Sequence, residues 1–296
     1  MTSFDCIVIG GGHNGLVCAA TLAKGGRNVL VLEADAEVGG AARTEEFFPG
    51  FRVSTAHVLN RLHPDVVRTL DLEELGLTVS RSAFVPTVVL SRDGSPLVLH
   101  GAYGEALTGT SAAEQAAWKE LRAQLLRYAG ILKPLLGNRP PDLAGLSLGE
   151  KMMLGKTALS LKKLGKEDMR DFLRVLLVNV YDLLDEQLTD DRLKGLLAFD
   201  AVLGSHLGPR SPTSLLGLYY RLAGEVNGAP GAQVVPKGGM GAVVAAMRAA
   251  AEHAGVAIRT GAAVAKIIVE NGRATGVALA NGEEIRAGTI VSAGNP

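Results

Sequence analysis

Four residues at fixed spacing could do chemistry here. Gly10, Gly12 and Gly15 stand as G-x-G-x-x-G directly after the β-branched run Ile7-Val8-Ile9, and an Ala/Leu-rich segment leaves them. At a strand-to-helix turn that spacing has a physical meaning. Gly10 permits the tight turn, Gly12 lets the backbone approach a pyrophosphate, and Gly15 lets the helix pack close to the strand. His13 and Asn14 fall in the first turn of that helix, where free N–H groups and the positive end of the dipole face phosphate charge. A second apolar run, Asn28 to Leu32, ends in Glu33, eighteen residues after Gly15. A carboxylate there can accept both hydroxyls of a ribose. Strand, spacing, helix and acid together favour a bound dinucleotide over a glycine-rich turn of some other α/β protein.

A second doublet, Gly39-Gly40, lies a few residues past Glu33 and Ala34. NAD-binding domains need no such doublet, so an NAD-dependent dehydrogenase would leave it unexplained. Large flavoprotein oxidases and desaturases carry one there, where it brings backbone to the FAD pyrophosphate from the other side. The flavin reading is preferred to a mere loop.

Those residues need a scaffold. The pattern predicts a helix over about 14–24 stopped by Gly25-Gly26, a helix over 64–70 with Pro64 in its first turn, and strand-like runs at 84–90 and 97–100 about Arg92-Asp93-Gly94-Ser95. A long helical region with three-to-four apolar spacing follows, through Trp118, Leu121, Leu125 and Leu126 and again through Phe172, Leu173, Leu176 and Leu177. After Pro236-Lys237-Gly238-Gly239-Met240-Gly241 come a helix to Gly255 and a third strand, Val256 to Arg259. Val264–Val269, Thr275–Leu279 and Glu283–Arg286 read as a β-meander, because Asn271-Gly272 and Asn281-Gly282 are strong hairpin turns. Thr289 to Ser292 reads as a separate parallel strand.

Composition narrows the function. Lys+Arg and Asp+Glu are both 30, so nothing points to nucleic acid or a strongly anionic partner. The longest stretch without charge, Cys6 to Ala23, is broken by the glycine cluster and is not a membrane span. The start of the chain carries no basic or apolar leader. Cys6 and Cys18 form no C-x-x-C pair and read as small core residues in a reducing, cytoplasmic setting. No metal cluster and no pair of nucleophile and base stands out. Residues 148–166 are locally basic and amphipathic; an ordinary half-buried helix with a lysine face is the plain reading, and peripheral membrane contact the sharper one.

The stretch 10–16, the segment Glu33 to Thr44, Thr44-Glu45-Glu46 and Pro49-Gly50-Phe51 resemble the phytoene desaturase-related FAD oxidoreductases. They are similar in particular to the branch called pyridine nucleotide-disulphide oxidoreductase domain-containing protein 2 in animals. Tyr181 to Asp185, Gly208 to Pro212, Pro236 to Gly241 and Val291 to Pro296 agree, so the likeness covers nearly the whole chain.

The resemblance implies an α/β fold: a doubly wound, Rossmann-like FAD-binding domain with a β-meander, over 1–80 and 225–296, and an inserted, largely helical α+β substrate domain over 81–224. It implies non-covalent FAD held by Gly10, Gly12, His13, Asn14, Gly15, Glu33, Ala34, Gly39, Gly40, Arg43 and Thr44, with the backbone at Val264 meeting the adenine. The wider pattern R-x-G-G-R-x-x-[ST] places arginines at Glu37 and Ala41, where this chain has none, while Thr44 is kept. Arg43 either reaches phosphate instead or is a surface charge. Ser54 to Val58 lies where relatives bring backbone to the flavin ring, and His57 is a weak catalytic candidate there; a lone histidine is more often a rim side chain.

The implied reaction is hydride transfer from an apolar, isoprenoid- or lipid-like substrate to flavin, as in desaturases and isomerases. A monoamine oxidase-type amine oxidase and a non-catalytic flavin-binding scaffold are the alternatives. The relatives continue past this length. The chain is therefore expected to be a truncated or split form with an open sheet edge at Thr289–Ser292, which holds the adenosine half of FAD and binds the flavin ring poorly unless a second polypeptide or a self-associated copy completes the sheet.

Overall fold

The computed structural model describes residues 4–60, 62–80, 83–92, 94–136 and 138–294. Asp93 of the expected turn and Asn295-Pro296 of the closing motif lie outside them. The chain forms two compact units, Met1–Ser80 with Val235–Pro296, and Arg81–Val234.

The first unit opens with β1 (Phe4–Ile9), α1 (His13–Lys24), β2 (Val29–Leu32), β3 (Thr44–Phe48), β4 (Phe51–Ser54) and α2 (Pro64–Thr69). The second holds β5 (Thr87–Val89), β6 (Leu97–His100), β7 (Ala106–Thr108), α3 (Ala112–Leu136), α4 (Leu148–Lys163), α5 (Lys166–Val175), α6 (Val180–Gln187), α7 (Asp191–Val202), α8 (Leu215–Ala223), β8 (Glu225–Val226) and β9 (Ala229–Pro230). The first unit then resumes with α9 (Met240–His253), β10 (Ala257–Arg259), β11 (Val264–Glu270), β12 (Arg273–Leu279) and β13 (Glu284–Ser292).

In the first unit the strand order is β10-β2-β1-β13-β12-β11. β10, β2, β1 and the second half of β13 run parallel; β12 and β11 complete an antiparallel meander. All four residues of β2, Val-Leu-Val-Leu, are buried. That suits a parallel strand covered on both faces. On one face Ile7, Leu30, Leu32, Val277 and Leu279 form a cluster. α1 and α9 pack together, and small residues of both helices, among them Ala19, Ala20, Ala246 and Ala250, are buried. α1 ends at Gly25-Gly26, and Lys24 bonds the Thr69 carbonyl and Asp71, tying that end to the segment after α2.

Three features depart from the sequence expectation. First, the runs expected at Glu283–Arg286 and Thr289–Ser292 belong, from Glu284 onward, to one strand. β13 pairs antiparallel with β12 through Glu284–Arg286, then parallel with β1 from Ala287 to Ser292. Ala287-Gly288 is extended backbone, so no turn separates the halves. The residues from Ala287 onward have β1 on one side and, among the described residues, no strand on the other. Second, Thr44–Phe48 and Phe51–Ser54 form a hairpin where no strand is expected from the pattern; Phe47, Phe48 and Phe51 are exposed, so inside–outside alternation is missing. Third, the first unit resumes after Val234 and not at 225, because β8 and β9 stay with the second unit. Gly231 N–H donates to the Gly224 carbonyl at 2.7 Å, and the Arg221 guanidinium donates to the Gly231 carbonyl at 2.9 Å.

The second unit is built on α3 and α8, whose inward faces carry Trp118, Leu121, Leu125 and Tyr128, and Leu215, Leu218, Tyr219 and Leu222. Burial of each of these large side chains contributes about 1.5–3 kcal/mol. Trp118 Nε1 donates to the Gly104 carbonyl at 2.9 Å, so its polar atom is satisfied inside the core.

Candidate functional site

The glycine turn forms as its spacing requires. Gly10 takes φ +99°, and a Cβ on Gly15 would sit 2.0 Å from the Gly10 carbonyl oxygen. Only glycine at both positions lets α1 start this close to β1. Gly12 is the N-cap of α1 and supplies no side-chain cap; a Cβ built there meets nothing within 4 Å. His13 and Asn14 are exposed beside it. The first turn of α1 therefore presents its N–H groups to an open space, which is the physical form of an anion cradle.

Glu33 stands at the mouth of that cradle. It follows β2, with its N–H bonded to the Arg259 carbonyl at 2.9 Å. Its Oε2 accepts the Gly11 N–H at 2.7 Å and its Oε1 accepts the Asp35 N–H at 3.0 Å. Two backbone donors thus hold the carboxylate in one orientation while it keeps lone pairs for a ligand. Gly11 is the residue sequence reasoning missed. A Cβ on it would lie 2.7 Å from Val38 Cγ1 and 3.1 Å from Glu33 Oε2. Its signal in the sequence is the third glycine of the run Gly10-Gly11-Gly12.

The second doublet folds against the first. Gly12 and Gly39 form a parallel bridge, and the Gly39 N–H donates to the Gly11 carbonyl at 2.9 Å. Gly40 Cβ, if present, would come within 3.4 Å of Gly12 Cα. Residues 10–15, 33 and 39–40 therefore share one site, and Ala34 is exposed at its edge. Val264 begins β11, paired with Leu279, and packs half-buried beside the cluster of Ile7, Leu30 and Leu32.

Arg43 and Thr44 have other partners. The Arg43 guanidinium bonds Glu45 and Asp35, the latter at 2.9 Å. These two carboxylates hold it charged and occupy its fork. Thr44 Oγ1 accepts the Gly241 N–H at 2.9 Å and shares a 2.7 Å bond with Ser54 Oγ. His57 is exposed on the wall of a cavity of about 820 Å³ that Arg43, Thr44, Ser54, Gly239 and Arg248 also line. Cys6 and Cys18 are both free; burial, then the neighbouring Cys6, pushes the Cys18 thiol up and keeps it protonated.

Residues 15–296 match the family model for flavin containing amine oxidoreductase. The chain belongs to that family. It is 34% identical over 310 residues to pyridine nucleotide-disulfide oxidoreductase domain-containing protein 2 of Rattus norvegicus, covering 99% of this chain and 53% of the relative. It is 29% identical over 315 residues to hydroxyneurosporene desaturase of Cereibacter sphaeroides, covering 98% and 56%. Among solved structures, an oxidoreductase from Methanosarcina mazei superposes with a TM-score of 0.56 at 22% identity, covering 97% of this chain and 58% of that one. That likeness shows the fold. The chain spans about half the length of the curated relatives it matches. The expected resemblance to phytoene desaturase-related oxidoreductases holds, and FAD is the cofactor of the family. The cradle fits it on this chain's own geometry: an uncapped helix N-terminus with open space at Gly12, and a carboxylate fixed at its mouth.

Proposed function

We propose that this chain binds FAD without a covalent bond and serves an oxidoreductase that removes hydride from an apolar substrate, in the manner of a desaturase or isomerase. The observation that carries the reading is the Glu33 carboxylate, held by Gly11 and Asp35 beside the open first turn of α1. Glu33 would hold the adenosine ribose, the N–H groups at Gly12 to Gly15 the diphosphate, and Gly39-Gly40 would let the backbone approach from the opposite side. Bound FAD supplies the hydride acceptor and its later reoxidation. The substrate class is supported by the likeness to hydroxyneurosporene desaturase over almost the whole chain.

The test is the absorbance spectrum of the purified chain after titration with FAD, then acid precipitation. Flavin bands that saturate, with the yellow colour left in the supernatant, are the expected result. Colour in the pellet would show covalent attachment, with His57 the side chain to suspect; failure to bind flavin removes the reading. The family description favours one second reading, an amine oxidase. Steady amine turnover with hydrogen peroxide release would support it over the desaturase reading. A scaffold without turnover would hold flavin that resists reoxidation by oxygen or quinones after photoreduction.

A further inference from the structure

The outward face of α4 carries a pattern that flavin binding does not use. The helix starts from a capping box: Ser147 Oγ accepts the Glu150 N–H at 3.3 Å, and Glu150 Oε2 accepts the Ser147 N–H at 2.7 Å. That engages the one acidic residue of the helix. The inward face carries Met153, Leu154, Thr157 and Leu161, all buried or half-buried. Leu148, Met152 and Leu159 are 75%, 54% and 51% exposed. At about 100° per residue these three fall within about 40° of one line along the helix.

Lysines border that line on both sides. Lys151 and Lys162 follow one flank, Lys156 and Lys163 the other. All four are exposed, and among the described residues none is in an ion pair. On α5, exposed Leu173 is accompanied by Lys166 and Arg170. Single exposed aliphatics are ordinary. A straight stripe of them between two rows of unpaired lysines is not.

We propose that α4 is an in-plane docking helix for an anionic lipid surface. The three aliphatic side chains enter the boundary between headgroups and acyl chains. The lysine stems run beside them, and their ammonium groups reach the level of the lipid phosphates. Charge complementarity selects this occupant, since the outward face holds four cations and no acid. The apolar stripe separates it from nucleic acid, which would need charge alone. No helix among the described residues, α4 included, is long and apolar enough to cross a membrane. The inference stands independently of the flavin reading, because it is read without FAD.

The test is flotation of the chain with vesicles of phosphatidylcholine alone and of about 3:1 phosphatidylcholine to phosphatidylglycerol, at about 0.05 M and 0.5 M salt. Binding to the anionic vesicles at low salt, and its loss at high salt, is expected. Combined Leu148→Asn, Met152→Asn and Leu159→Asn should lower partitioning at least about tenfold. Combined Lys151→Glu and Lys163→Glu should lower it by a similar factor. These positions face solvent, so circular dichroism should be unchanged; single Leu148→Asn and Lys163→Gln serve if a combined variant does not fold, with smaller losses expected. No binding by the unaltered chain, or variants that bind like it, would overturn the proposal. So would a lipid-free change of oligomeric state on removing the stripe, which marks a contact between copies. Retention of a fluorescent RNA that only the lysine changes abolish would also overturn it.

Discussion

Thr44 Oγ1 accepts the N–H of Gly241 at 2.9 Å, across 197 residues of sequence. Gly241 lies in the first turn of α9, where backbone donors lack helical partners. The Thr44 hydroxyl therefore caps a helix from outside it, and the 2.7 Å bond to Ser54 Oγ keeps it aimed. A Cβ on Gly241 would lie 2.7 Å from the same oxygen, so glycine is what lets the two segments meet. Thr44→Val should cost about 1–2 kcal/mol of stability in the FAD-free chain and speed exchange of the Gly241 amide. Thr44→Ser should restore both. Unchanged exchange in the valine variant would show that the hydroxyl acts only on a ligand.

Glu33→Ala should lower FAD affinity by about 1.5–3 kcal/mol, roughly ten- to a hundredfold, because charge-assisted bonds to the ribose are lost. Gly11→Ala should lower it as well, by crowding Val38 and displacing the carboxylate that Gly11 holds. Titration by flavin fluorescence measures both. Equal dissociation constants for the Glu33 variant and the parent would take Glu33 out of the site.

Arg43 is the reverse case. With Asp35 and Glu45 on its guanidinium at the surface, it has little capacity left for phosphate. Arg43→Ala should leave FAD affinity within about twofold and stability within about 0.5 kcal/mol, as for other surface pairs. A loss of tenfold or more, shrinking at higher salt, would instead assign it to the diphosphate.

The second unit should weaken in acid. Burial alone would raise the Glu114 carboxyl; the Thr189 hydroxyl and the N–H groups of Asp190 and Thr189 outweigh it and bring it below its ordinary value. Asp190, the N-cap of α7, is held well below the carboxylate range by Arg192 first and by Thr110, against the pull of burial. Both groups are depressed in the folded chain, so their stabilisation is present above the unfolded carboxylate range, about pH 4, and is lost as pH falls through the folded values. Trp118, the one tryptophan, is buried in this unit and reports on it. The urea midpoint of its fluorescence should fall between about pH 5 and pH 3. Glu114→Gln should cost about 1–3 kcal/mol at neutral pH, since the amide keeps one acceptor oxygen where the carboxylate uses two toward Thr189 and Asp190, and should flatten the profile. A glutamine variant as stable as the parent would contradict this.

Much of the nucleotide-binding unit was legible because its signals are local. Gly10 needs positive φ, Gly15 needs the absence of a Cβ, and Asn271-Gly272 both take positive φ in the two-residue turn that pairs Glu270 with Arg273. Each is a demand of a few consecutive residues on their own backbone, so residue type alone declares it. Glu33 was legible for a similar reason, since a strand of known length delivers the residue that follows it to a known place. Tertiary structure decided the rest. Nothing near Thr44 announces Gly241, and nothing near Glu114 announces Asp190; these bonds join segments whose meeting depends on the packing of whole elements. The hairpin of Thr44–Ser54 has no alternation to betray it, because both of its faces are largely exposed. β13 has no turn residue at Ala287-Gly288, yet its neighbour changes there from β12 to β1, because hydrogen-bond partners belong to the sheet and not to the strand. The periodicity of α4 defines two opposite faces, and only the packing of the second unit left the one with Leu148, Met152 and Leu159 in solvent.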